Sequence, residues 1–135
     1  MFRRSILAGM AVLALQTGAM AESVTVEAFP PVVVETFPTS GAQEVDPSIS
    51  EVRVTFSKEM MTDEMWSFVY ALPAEFPKVA GKVHYLADKR TCVLPVSLEP
   101  GKTYGIWVNS KEHSAFRDTD QNSAVPYLLV FKTRS

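Results

Sequence analysis

Leu98-Glu99-Pro100-Gly101-Lys102-Thr103-Tyr104, running on into Gly105-Ile106-Trp107-Val108-Asn109, is the stretch whose reading decides the fold. Pro100-Gly101 is a turn pair: proline pre-sets φ for a turn and glycine accepts the positive φ that follows. From Tyr104 onward apolar residues alternate, so Tyr104, Ile106 and Val108 share one face of a strand. A tyrosine just past such a turn, at a strand entry, is the arrangement of a tyrosine corner. There the ring enters a sandwich core and the hydroxyl bonds back to the backbone of the connection. Leu98, Pro100, Gly101 and Tyr104 are accordingly expected to be structural.

Strand signals continue on both sides of this corner. Upstream, Val32 to Phe37 is rich in valine and closed by Pro38-Thr39-Ser40-Gly41. Glu51 to Ser57 alternates cleanly, with Val52, Val54 and Phe56 expected inward. Trp66 to Tyr70 reads as a strand with residues 66, 68 and 70 on one side, followed by a proline-bounded loop to Pro77. Lys82 to Leu86 and Arg90 to Val96 predict a hairpin across Ala87-Asp88-Lys89, in which Pro95 demotes its strand to an edge or marks a bulge. Downstream, a long loop from Ser110 to Val125 precedes a last strand, Pro126 to Thr133. About seven short strands with no helical periodicity predict an all-β, Ig-like or fibronectin III-like β-sandwich, with a small barrel as the alternative.

The chain opens differently. Met1-Phe2-Arg3-Arg4 is basic, Ser5 to Leu15 is apolar, and Ala19-Met20-Ala21 offers the small-x-small pattern that signal peptidase cuts after. Residues 1–21 are thus expected to be a signal peptide, residues 22–31 a leader containing a short strand-like Val24-Thr25-Val26, and residues 32–135 the domain. The apolar run is shorter than the roughly 20 residues a membrane span needs, so the mature chain is expected to be secreted or periplasmic without membrane insertion. The whole chain carries a formal charge of −2 and the mature part holds no cluster of Lys or Arg, which argues against nucleic acid as a partner. Cys92 is the single cysteine, so no intrachain disulfide forms and the core must carry the fold. Flanked by Thr91 and Val93, it reads as a buried, inert thiol.

These pieces together resemble the bacterial Ig-like domains of the S-layer (SbsA-like) type. The resemblance is carried by Phe37-Pro38-Thr39-Ser40-Gly41-Ala42 with Val45-Asp46-Pro47, by Val52 to Met60, by Leu98 to Tyr104 and by Val130-Phe131-Lys132-Thr133. It covers Val32 to Thr133 and implies a β-sandwich module of exported proteins, found in surface and adhesion-related proteins or appended to enzymes. It carries no shared catalytic set to transfer.

Candidate chemistry is sparse. Asp118-Thr119-Asp120-Gln121-Asn122 has the alternating oxygen ligands of a calcium loop, so Asp118, Asp120 and Asn122 are candidate metal ligands. The glycine and glutamate that an EF-type loop requires are replaced by Ser123 and Leu129, and a polar turn accounts for the same residues. Met60, Met61 and Met65 could offer thioethers to Cu(I), while His84 and His113 stand isolated. No Ser-His-Asp order, HExxH or phosphate loop is present, so no enzyme, catalytic residue or cofactor is expected. If Tyr104, Ile106 and Val108 face the core, Trp107 and Asn109 face outward. With His84 and Tyr85 from a neighbouring strand they would form an amphipathic surface for a sugar or a protein. The expected function is a non-catalytic exported Ig-like module that binds protein or glycan, or has a structural role, at the cell envelope. The alternatives are a small periplasmic copper or calcium carrier, or an accessory domain recruiting an envelope enzyme.

Overall fold

The computed structural model describes residues 24–135, and the expected signal peptide lies outside them. Two antiparallel sheets pack face to face. The larger contains β1 (Val33–Phe37), β2 (Glu51–Phe56) and β6 (Thr91–Ser97), with β4 (Lys78–Val79) and β5 (His84–Tyr85) both paired to the far side of β6. The smaller contains β3 (Phe68–Tyr70), β7 (Thr103–Val108) and β8 (Tyr127–Lys132), with β7 in the middle. The β-sandwich expected from the strand count is the fold.

Period-2 alternation builds its interior. Val52, Val54 and Phe56 of β2, Cys92, Leu94 and Val96 of β6, Tyr104, Ile106 and Val108 of β7, and Leu129 and Phe131 of β8 are each at 3 % exposure or less. Each large aliphatic or aromatic side chain buried this way contributes about 1.5–3 kcal/mol, so the core does the work that disulfides do in smaller exported domains. Tyr104 sits in this core, its ring 5.6 Å from that of Phe131, and its hydroxyl accepts a hydrogen bond from the Glu99 N–H at 2.9 Å. The tyrosine corner is therefore formed as the sequence implied. Gly101 takes φ +69, as the turn requires.

Pro95 does not put β6 at an edge, because β2 flanks it on one side and β4 and β5 on the other. Its missing N–H falls on the β4–β5 side, where Ala80 donates to the Pro95 carbonyl and receives no bond in return. The partner strand breaks there into two short pieces, and Gly81 lies so close that an added Cβ would come within 3.1 Å of the proline ring. β6 itself runs through Pro95 in unbroken register with β2, so neither the edge nor the bulge is found and the interruption falls on the partner. β4, inside the expected loop-to-hairpin region, is the extra strand that results.

Two further expectations change. Val24-Thr25-Val26 is not strand-like: it leads into a single 3-10 turn, Val26–Ala28, which buries nothing. β3 starts at Phe68, leaving Trp66 outside it, because Asn109 opposite turns to φ 64 and the ladder has no partner beyond.

The chain also crosses between sheets. After β1, residues 40–45 leave the larger sheet and run parallel to β8. Gly41 donates to the Val130 carbonyl, Lys132 to Ala42, Val45 to Lys132 and Arg134 to Val45.

Candidate functional site

The outer faces of the two sheets differ. On the larger sheet the outward positions are mixed: Arg53 pairs with Glu51, the Thr55 and Thr91 hydroxyls meet at 3.1 Å and His84 is exposed, while Phe37 and Val93 flank Arg53 in register. On the smaller sheet the outward row Val69–Trp107–Leu128 runs across all three strands, because Val69 and Leu128 are the register partners of Trp107 on either side. The next row is Gly105 and Val130. The loop after β3 folds over this second row, and glycine is required there: a Cβ at residue 105 would lie 2.8 Å from the Ala74 Cβ and 3.2 Å from that of Ala71. The result is a groove of about 440 Å³ lined by Leu72, Pro73, Ala74, Trp107, Leu128 and Val130, with Thr103 as its one hydroxyl. Leu72 is 84 % exposed and Leu128 39 %.

Trp107 is thus outward and half-buried, as the alternation implied, but its expected companions are elsewhere. Asn109 is fully buried. Its side-chain amide donates to the Phe116 and Ala124 carbonyls at 3.0 Å each and its Oδ1 accepts from the Phe116 N–H at 3.0 Å, which clamps the loop that follows β7. His84 and Tyr85 belong to the opposite sheet, so they cannot join a surface with Trp107. The Tyr85 hydroxyl points inward and donates to the Met65 carbonyl at 2.6 Å, and His84 Nδ1 lies 2.9 Å from the Lys82 carbonyl. Sequence reasoning missed Leu72, Leu128 and Val130. Leu128 and Val130 carried a signal, since a last strand with Leu129 and Phe131 inward turns them outward.

The acidic loop is a clip rather than an open chelate. Asp118 is buried, and its Oδ2 accepts from the Lys58 ammonium at 2.6 Å. Its Oδ1 accepts from the backbone N–H groups of Asp120 and Asn122 at 2.9 Å each. Lys58 also donates to the carbonyls of Phe29 and Glu27, tying the leader down. Burial pushes the Asp118 carboxyl up, but the Lys58 ammonium and the Asn122 and Asp120 amides outweigh it and hold the group below its usual range. Asp120 contributes its amide here, and Asn122 donates its side-chain N–H to Asp118 Oδ2 and to the Glu27 carbonyl. The cation of this site is the Lys58 side chain. Among the described residues no three His, Cys, Asp or Glu side chains converge on a possible metal position. Met60 is packed in the core beside Val54, Phe56 and Phe116, so the methionines expected as thioether ligands do not stand together at the surface. Burial pushes the Cys92 thiol up to about 12, despite the neighbouring Tyr85 hydroxyl, leaving it protonated and unreactive at neutral pH.

Residues 27–133 match the bacterial Ig-like domain family. The chain belongs to that family. Two solved structures share the Ig-like fold. The S-layer protein rSbsC is 19% identical with a TM-score of 0.50, and 80% of this chain aligns to 14% of that one. Domains 1–6 of surface layer protein SbsC are 20% identical with a TM-score of 0.51, again over 80% of this chain and 14% of that chain. This Ig-like chain therefore spans about one-seventh of either S-layer chain. No curated protein matches it. No helix among the described residues is long and apolar enough to cross a membrane.

Proposed function

We infer that this Ig-like domain is an exported, non-catalytic module of the cell envelope that binds another protein through the outer face of its smaller sheet. The observation that carries the reading is the outer face of the smaller sheet, a continuous apolar row centred on Trp107 beside Leu72, where the larger sheet instead mixes Arg53, Glu51, Thr55 and Thr91 with Phe37. Scattered exposed apolar residues need no explanation, whereas a contiguous patch in a groove marks an interaction surface. The aliphatic surroundings of Trp107 favour protein over glycan. A sugar needs hydrogen-bonding groups around the stacking aromatic, and Thr103 is the one hydroxyl in the groove. The S-layer neighbours and the signal-like residues 1–21 support the envelope location.

Site-specific photo-crosslinking in the native host tests this. A photoreactive residue at Leu128 is expected to give a discrete polypeptide adduct, and one at Arg53, on the outer face of the other sheet, none. Adducts of equal yield at both positions, no adduct at Leu128, or a carbohydrate adduct there would overturn the assignment.

A further inference from the structure

The geometry points to a second binding site, distinct from the Trp107 face: the free edge of β3 takes up an extended segment of a partner polypeptide, which adds as a fourth strand to the smaller sheet. Asn109 donates to the Ser67 carbonyl, which fixes the phase of the β3–β7 ladder. Odd-numbered residues of β3 turn their backbone groups to β7, and Phe68 and Tyr70 turn theirs away. Among the described residues nothing bonds these two N–H and two C=O groups.

Edges of native sheets are usually blunted by charge, proline, bulges or cover. The β8 edge is covered by residues 40–45. β1 carries Glu35 and an irregularity between Val33 and Glu35, and the β4–β5 edge carries Pro77, Lys78 and Lys82 and a break at Gly81. β3, Phe68-Val69-Tyr70, has no charge, proline or bulge, and its three-residue length is its one protection.

Beside this edge lies a groove of about 490 Å³ between the sheets, lined by Trp66, Phe68, Tyr70, Phe76, Val79 and Val83. Tyr70 is 68 % exposed and its ring stands 4.8 Å from that of Phe76 at the groove's mouth. Unpaired backbone groups select an extended backbone, and alternate side chains of the added strand drop into the apolar groove. The occupant is an extended segment of a partner protein with apolar side chains at alternate positions, the ones that face the groove.

The test is a random heptapeptide display library panned on the full chain. Enriched peptides are expected to carry apolar residues at alternate positions and to shift the Phe68 and Tyr70 amide resonances. Tyr70→Pro deletes one outward N–H without touching the β7 ladder. It should weaken a synthetic winner at least tenfold relative to Tyr70→Val, which keeps that N–H. Should Tyr70→Pro fail to fold, backbone N-methylation of the peptide at alternate residues gives the same answer on the native protein, one phase abolishing binding and the other not. Failure to enrich any peptide, equal binding by the proline and valine variants, N-methylation in either phase without effect, or amide shifts centred on Trp107 would overturn the proposal. Trp107→Ala should leave peptide binding unchanged, so the two sites stand or fall separately.

Discussion

Replacing Asn109 by alanine should cost about 4 kcal/mol, although the residue touches no candidate ligand surface. Three hydrogen bonds disappear, but their loss is unequal. The Phe116 carbonyl keeps a partner, since the Ala124 N–H donates to it at 2.8 Å. The Phe116 N–H and the Ala124 carbonyl keep none, and both residues are buried. An orphaned buried group costs about 1–3 kcal/mol, so two contribute roughly 3. Alanine at φ 64 adds about 1 more, because the left-handed region penalises a Cβ that asparagine tolerates through local bonding. Against a typical domain stability of about 5–15 kcal/mol this is a large share. Urea unfolding followed by tryptophan fluorescence would read it as a fall of roughly 2 M in the midpoint at unchanged slope. Asn109→Gly should recover about 1 kcal/mol by relieving φ, but not the orphaned pair. A loss under about 1 kcal/mol for Asn109→Ala would mean that water replaces the amide and that the clamp is not what holds the loop.

Other outcomes follow from single contacts. Tyr104→Phe should cost about 1 kcal/mol by removing the acceptor of the Glu99 N–H, measured by the same denaturation. Asp118→Asn should cost about 3 kcal/mol at neutral pH by leaving Lys58 without its buried partner. Because the folded-state carboxyl of Asp118 lies below its ordinary value, its contribution is present above the unfolded pKa of about 3.9 and is lost as pH falls through the folded value. The gap between wild type and Asp118→Asn should thus be constant from pH 7 to about 5 and close towards pH 2. Gly105→Ala should push the 71–74 loop off the second row and expose Trp107, seen as a red-shifted emission with about 1–2 kcal/mol of lost stability. Cys92 should resist thiol reagents at pH 8 in the native state and react at once in denaturant.

What could be read from the residues was what is local. The Pro100-Gly101 turn, the parity of Tyr104, Ile106 and Val108, and the alternation of β2 each rest on neighbouring residues, and all three hold in the structure. Trp107 was legible as outward for the same reason. Asn109 was not, because parity was carried one residue past the point where the backbone leaves the β region. The signal available was its type, since asparagine at a strand end is a common left-handed residue. Alternation gives the face of a strand but not its sheet, so it does not show that Tyr85 and His84 lie on the sheet opposite Trp107. The Lys58–Asp118 bond joins residues 60 apart in sequence, and no periodicity reports such a pairing. The acidic spacing of the loop suggested an ion, and the structure supplies one from the chain itself.

The parallel run of residues 40–45 along β8 has a mechanical consequence. A pull on the chain before residue 40 and after residue 133 draws two parallel neighbours in opposite directions along their length. The four backbone bonds between them are then loaded together in shear, instead of being opened one at a time as at the end of a hairpin. Tension carried into residue 40 must break that set at once to part residues 40–45 from β8, so the seam that closes one side of the sandwich is also its strain-bearing latch.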